Sequence, residues 1–266
     1  MTRTTSFLDR DPLDRLYTPH QNTYVLMEYL KSRLHGVVWE PFCGKGMIAH
    51  ALLHQQQIDN QKVIQSVICS DLDHRVKKYC GVHTLNWEEQ TESFEQKADL
   101  NGVDAFAAIT SKNPINAFRD SRRRFNWVVS NPPYTFNHAK WLVQQGDLLS
   151  ENEHDGPNKL SAGDWVSTFL KNFPDVSLAM YMRVTWLEPS EDRALLFKQY
   201  PPTDILFLPR NDFVLPSGKK LKGNNCSSAW IVWDRSLNKP SDEAYGLTRN
   251  KWYNRNDVEN IFKLYS

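Results

Sequence analysis

Cysteine is scarce and scattered: Cys43, Cys69, Cys80 and Cys226 are the only four in 266 residues, and no two form a CxxC pair. This speaks against a disulfide framework and against a cysteine zinc site. An excess of one charge is also missing. Lys and Arg number 32 against 31 Asp and Glu, so the chain cannot hold a polyanion by overall charge and must use local patches. No run approaches 18 consecutive apolar residues, and residues 1–20 lack the apolar core of a signal peptide. Neither a membrane span nor export is expected, and the reading is a soluble, cytoplasmic protein. Internal repeats and low-complexity segments are absent as well. With 40% hydrophobic and 24% charged residues, the chain is long enough for a sizeable core in one domain, or one domain with a small appendage.

What is present is an alternation of strand-length apolar runs with longer amphipathic stretches, which points to an α/β domain around a parallel sheet. Val25, Leu26, Tyr29, Leu30 and Leu34 have helical spacing, so a helix is expected over 23–34, ending near Gly36. A short buried strand at 37–39, a helix at 46–57 and a strand at 63–70 closing on Asp71 make one βαβ unit. A helix at 74–80 and a solvated, Glu-rich excursion at 86–100 follow, and 104–107 mark a weak third edge. Strands are expected at 125–130 and 176–187, and 205–208 with 230–233 form a last pair. The polar, acidic stretch near 146–163 is too long for a simple connection and reads as a mobile loop or insertion over the site.

The first strand runs into EPFCGKG, so Gly44 and Gly46 sit where a strand turns into a helix N-terminus and a ligand can approach the backbone. Gly44, Gly46 and Ala49 spell GxGxxA, which with Asp71 also fits a nicotinamide-dinucleotide fold. Glu40 weighs against that: a carboxylate at the end of a buried strand is costly unless it faces a polar or cationic group, and it repels a pyrophosphate. It suits the amino group and sulfonium of S-adenosylmethionine. Asp71 ends the second strand where open α/β sheets bind ligands and can accept both hydroxyls of a ribose, the alternative being a helix N-cap. Asp104 offers an acceptor for an adenine amino group beside the ring of Phe106.

The strongest signal is Asn131-Pro132-Pro133-Tyr134 at the end of the FNWVVS run. The two prolines fix the backbone and remove two N–H donors, leaving the Asn131 side-chain oxygen and the Pro132 carbonyl as paired acceptors. Their complement is an NH2 group. The lone pair of such a nitrogen is delocalised, and two acceptors on its hydrogens localise charge on it and make it nucleophilic. Tyr134 offers a face for a planar substrate, and such stacking contributes about 1–3 kcal/mol per base. No general base is required, because the proton can leave after transfer.

EPFCGKG, the Asp71 acid and NPPY, in that order, resemble the S-adenosylmethionine-dependent amino methyltransferases, and within them the gamma arrangement of DNA adenine-N6 methyltransferases. MRVTWLEPSEDRALLFKQYPPTDILFLPR and CSSAWIVWDR resemble the carboxyl half of the short phage-type enzymes, so the resemblance covers residues 17 to 235. It implies a Rossmann-like class I methyltransferase fold, with a seven-stranded, mostly parallel sheet and a final antiparallel strand. It further implies that Glu40, Phe42, Gly44 and Gly46 line the cofactor and that Tyr17-Thr18-Pro19 pack over its methionine part. Residues 1–36 form an N-terminal segment, 37–240 the catalytic domain and 241–266 a C-terminal extension. The expected reaction is methylation of adenine N6 in DNA. The same chemistry on RNA adenine or on a protein glutamine amide is the first alternative, and the 36 residues before Val37 leave no room for the helical substrate domain of glutamine methyltransferases. A catalytically silent nucleic-acid or partner-binding module is the second.

DNA as partner calls for local basic patches. Lys219, Lys220 and Lys222 in PSGKKLKGNN are expected to touch phosphates, and the cluster of Arg119 with Arg122, Arg123 and Arg124 to lie on the opposite edge of the sheet. His50 and His54 are four apart on a helix, but without a third ligand nearby they are read as a solvated or packed pair and no metal is expected. Trp230, Trp233 and Trp252 are read as core packing.

Overall fold

The apolar runs carry bulky residues at successive positions, the pattern of strands covered on both faces. The computed structural model describes residues 18–44, 46–59, 63–71, 105, 109, 125–133, 135–136, 160–210, 213–214, 220–221, 227–237 and 246–265. In chain order the elements are α1 (His20–Leu30), β1 (Gly36–Glu40), α2 (Met47–Asp59), β2 (Ile64–Cys69), β3 (Trp127–Ser130), β4 (Thr135–Phe136), β5 (Leu160–Ser161), α3 (Ala162–Asn172), β6 (Ser177–Arg183), α4 (Glu191–Gln199), β7 (Asp204–Leu208), β8 (Phe213–Val214), β9 (Lys220–Leu221), β10 (Ser228–Trp233), β11 (Arg249–Trp252) and α5 (Arg255–Leu264). Seven of the strands form one sheet in the order β11-β7-β10-β6-β3-β1-β2. Only β10 runs antiparallel, between β6 and β7, and the pairs β1–β2, β1–β3, β3–β6 and β7–β11 are parallel. The fold is therefore Rossmann-like α/β, and the expected last pair is β7 with β10.

Alternate side chains of the central strands go to opposite faces, as the pleat requires. Val38, Trp127, Val129, Ala179, Tyr181, Trp230 and Val232 pack with α1, α2 and α5. Trp39, Val128, Leu178, Met180, Met182, Ile231 and Trp233 pack with α3 and α4. Both flanks of the chain join this core: Tyr24 of α1 stacks on Tyr265 with ring centroids 4.8 Å apart, and Val258 of α5 is buried beside them.

Several boundaries depart from expectation for local reasons. The first helix ends at Leu30 because Lys31 takes a left-handed φ of 49°, and a 3-10 turn at Lys31–Arg33 follows. The strand expected to reach residue 187 stops at Arg183. There the Val184 N–H bonds to the Ser227 carbonyl, and a 3-10 turn over Val184–Leu187 tucks Trp186 edge-on against Phe197 of α4. Residues 160–163, expected within a loop, are β5 and the first turn of α3, which starts at a capping box formed by Ser161 and Asp164. Ala105, expected near a strand edge, is helical, as is Ile109. Trp230 and Trp233 are buried as expected, but Trp252 is 66% exposed, because β11 is an edge strand and only one face of its ring is covered, by Phe207.

The amino-terminal edge of the sheet is closed by a buried ionic cluster. Asp204, with no exposed surface, accepts from the Tyr29 hydroxyl (2.8 Å), Arg249 Nε (2.7 Å) and Thr203 Oγ1 (2.7 Å). Arg33 Nη1 lies 3.0 Å from Asp234 and 3.8 Å from Asp204. Burial, and then the bond to Asp204, push the Tyr29 hydroxyl pKa upward.

Gly36 starts β1 at φ 76°, and an added Cβ would overlap the Asn126 side chain, whose Oδ1 accepts the Val37 N–H. Gly36→Ala should therefore destabilise the fold by about 1–3 kcal/mol, from backbone strain plus the displaced asparagine. Thermal unfolding checks this; an unchanged midpoint would mean that the backbone at Gly36 relaxes freely.

Candidate active site

β1, β2, β3 and β6 are parallel, so their carboxyl ends lie on one edge of the sheet. The order reverses at β1, which has β2 on one side and β3 on the other, and such a switch point is where open α/β sheets form a crevice. The expected site residues of these strand ends meet there. Glu40 ends β1 and is 1% exposed. Its Oε2 accepts the Ala49 N–H from the first turn of α2 at 2.9 Å and lies 3.9 Å from the Cys69 sulfur. The α2 N-terminus thus compensates part of a charge that was expected to require a cationic ligand.

The glycine turn is tied to the end of β2. Cys43 N–H donates to the Ser70 carbonyl and Gly44 N–H to Asp71 Oδ2 at 2.8 Å, while Trp39 Nε1 donates to the Ser70 hydroxyl. Gly44 and Gly46 have φ of 51° and 72°, left-handed values that favour glycine and hold the turn tight against α2. Asp71 is half-buried and joins the two strand ends that carry the site.

Asn131 is half-buried just past the end of β3, followed by buried Pro132 and half-buried Pro133. The chain then enters β4, which pairs with β5 immediately before α3. Trp165 of α3 stacks on Phe169, meets Phe42 edge-on at 5.4 Å and donates its Nε1–H to the Ala105 carbonyl at 3.0 Å. The Phe42 ring is accordingly packed in the α3-side cluster.

Thr18 and Pro19 lead into α1 at the same edge. Asn22 Nδ2 donates to the Tyr181 hydroxyl near the carboxyl end of β6, whereas Arg33, at the other end of this segment, reaches the amino end of β7. The hydroxyls of Thr18, Thr23 and Ser130 are buried and make no hydrogen bond among the described residues. Such atoms fit a site for a polar ligand, since an unmatched buried hydroxyl is costly. Ser130 was missed in the sequence, although a hydroxyl closing an apolar strand directly before Asn131 was the available signal.

β8 and β9 pair as a hairpin between the carboxyl end of β7 and the start of β10. Lys220 is in β9 and so arises from the Asn131 edge, while Phe125 leads into β3 from the opposite one. Tyr17, Asp104, Phe106, Tyr134, Lys219, Lys222, Arg119 and Arg122–Arg124 lie outside the described residues, as do the expected segments 74–80 and 86–100. Cys43 and Cys69 are buried and form no disulfide among the described residues. Among the described residues no group of three His, Cys, Asp or Glu could hold a metal, and no helix is long and apolar enough to cross a membrane.

No protein-family model matches the sequence, and no curated protein matches it. Solved structures do match in shape. A Listeria monocytogenes protein provisionally assigned as a class I S-adenosylmethionine-dependent methyltransferase has a TM-score of 0.56 at 12% identity, with 93% of this chain covering 70% of that one. The modification subunit of a provisionally assigned type I restriction enzyme from Vibrio vulnificus has 0.54 at 13%, with 94% of this chain covering 52% of that one. The DNA-bound ATP-dependent Type ISP restriction-modification enzyme LlaBIII has 0.51 at 11%, with 93% covering 21%. The chain thus spans about half of the second protein and a fifth of the third. Its fold is that of the Rossmann-like class I methyltransferases.

Proposed function

We propose that the chain transfers a methyl group from S-adenosylmethionine to the N6 amino group of adenine in DNA. The observation that carries this reading is the position of Asn131-Pro132 at the end of β3, one strand from the Glu40 end of β1 and its glycine turn, on a single sheet edge. Fold neighbours that include a modification subunit and a DNA-bound restriction-modification enzyme support DNA as the substrate.

The cofactor supplies an electrophilic methyl group. Glu40, Gly44, Gly46 and Asp71 would hold it, with Thr18, Pro19 and Phe42 at the margin of its site and Tyr17, Asp104 and Phe106 completing it. Asn131 Oδ1 and the Pro132 carbonyl accept the two hydrogens of the adenine amino group and fix its nitrogen. Pro133 keeps this backbone extended, and Tyr134 stacks on the ring of a base rotated out of its helix. Lys219, Lys220 and Lys222 neutralise backbone phosphates. Positioning carries most of the catalysis, and the proton leaves to solvent after transfer.

The test is incubation with methyl-labelled S-adenosylmethionine and DNA, RNA or protein, followed by nucleoside and peptide mass analysis. N6-methyladenine from DNA is expected. Label in RNA or a glutamine amide, or cofactor binding without transfer, would overturn the reading.

Asp71→Ala should weaken cofactor binding at least tenfold, because ribose contacts worth about 1.5–3 kcal/mol are lost and the Gly44 turn is released. Calorimetric titration decides it. Unchanged affinity with a lower melting temperature would make Asp71 a tether of the turn alone.

A further inference from the structure

Beyond β3 the same sheet edge opens into a second feature, a groove of about 520 Å³ bounded by the end of β6, the end of β7 and the start of β10. Val184, Leu187 and Pro189 give it apolar lining, and Thr185, Glu188, Arg210 and Ser227 give it polar lining. The frame is set by the backbone, since the Val184 N–H donates to the Ser227 carbonyl at 2.8 Å. Glu188 and Arg210 are both exposed, and among the described residues neither side chain forms an ion pair or hydrogen bond. Opposite charges that share a groove without pairing suit a ligand carrying both an anion and hydrogen-bond donors on a flat apolar body. A nucleotide has that composition, with a phosphate, a base face and, for adenine or cytosine, an amino group.

Position selects the occupant. Strands lie about 4.8 Å apart, so a groove one to three strands from β3 is about 5–14 Å along the edge from Asn131. At about 3.4 Å per nucleotide along a DNA strand, that is roughly one to four nucleotides. Glu40, Gly44, Gly46 and Asp71, at the ends of β1 and β2, lie on the other side of β3 from the groove. The β8–β9 hairpin that carries Lys220 begins three residues after Arg210.

We propose that this groove holds a nucleotide of the DNA strand flanking the target adenine, with Arg210 on its phosphate, the base on Val184, Leu187 and Pro189, and Glu188 accepting from an adenine or cytosine amino group. The inference rests on the proposed reaction and names its flanking-base preference.

Two measurements separate the groove from the reaction. In the first, fluorescein-labelled 20-mer oligodeoxynucleotides bind the full chain in fluorescence anisotropy across a salt series. Arg210→Gln should weaken binding at least fivefold and reduce the slope of log affinity on log salt by about 0.7–0.9, with the melting temperature and cofactor affinity held. In the second, methylation is scored on oligonucleotides randomised at the four positions on either side of one adenine. The parent should prefer adenine or cytosine at a single flanking position at least fivefold, and Glu188→Ala, which removes the acceptor, should reduce that preference below twofold. Unchanged binding and slope in Arg210→Gln, or an unchanged preference in Glu188→Ala, would overturn the proposal. Binding that depends on Arg210 in a protein that methylates no nucleic acid would keep the groove and overturn the reaction. Tighter binding of the matching RNA 20-mer would move the groove to an RNA strand and overturn the assignment to DNA.

Discussion

Replacing Asn131 with alanine should reduce methyl transfer at least a hundredfold while S-adenosylmethionine binds as in the parent protein. The side-chain oxygen is one of only two acceptors assigned to the target amino group, and its loss leaves the nitrogen lone pair delocalised and free to rotate. A hundredfold corresponds to about 2.7 kcal/mol of transition-state stabilisation, in the range for a hydrogen bond that strengthens as charge develops. Single-turnover rates at saturating DNA, paired with calorimetry of cofactor binding, test both halves of the expectation. Activity within threefold of the parent removes Asn131 from the reaction. Joint loss of activity and cofactor affinity makes it part of the crevice wall.

The second large effect falls on stability, at the opposite edge of the sheet. Asp204 is fully buried and takes donors from Tyr29, Thr203 and Arg249, with Arg33 3.8 Å away. Asp204→Ala leaves these donors without their shared acceptor, and breaking such a buried cluster from one side costs about 3–5 kcal/mol. For a domain of this size that is a fall of roughly 6–20 °C in melting temperature. Arg249→Ala should cost less, because that arginine side chain is 53% exposed and solvent replaces much of its pairing. The cluster is a sheet width from Asn131, so folded Asp204→Ala protein should still transfer methyl groups at low temperature. A midpoint within 2 °C of the parent would show that the buried carboxylate is dispensable.

Parts of the fold dominated by local signals were legible in the sequence. The βαβ unit could be read because glycines, an apolar run and strand-ending acids coincide within residues 36 to 71. The strand before Asn131 could be read because WVVS is apolar on both faces. β11 could not: its residues, Arg249 to Trp252, are all exposed, so it carries no alternation, and pairing with β7 alone makes it a strand. α4 has one fully buried residue, Leu196, which leaves little periodicity to detect. The overlong reading of β6 has a tertiary cause, since VTWL suits a strand locally but Trp186 has to turn back under α4. At the site, the glycine turn and the Asn131 edge were visible as motifs. The bond from the α2 N-terminus to Glu40 was not, because it joins residues nine positions apart across a turn. Nor was the Glu188–Arg210 groove, whose walls come from three strand ends.

The single reversed strand has a consequence for synthesis. β7 has two partners, β10 and β11, and both are encoded after it. β6 likewise shows an open edge until β10 is made. A ribosome adding about 5–20 residues per second takes about one to five seconds to pass from the end of β7 to the end of β10. During that interval the nascent chain carries a four-stranded sheet with a bare, mostly apolar edge at β6, and β7 is unattached beside it. Asn22 in α1 waits over the same interval for Trp230, whose indole Nε1–H donates to its carbonyl 208 residues away. A chain stopped at residue 226 should therefore associate through β6 and precipitate, whereas one stopped at residue 240 has its β6 edge covered and should remain in solution.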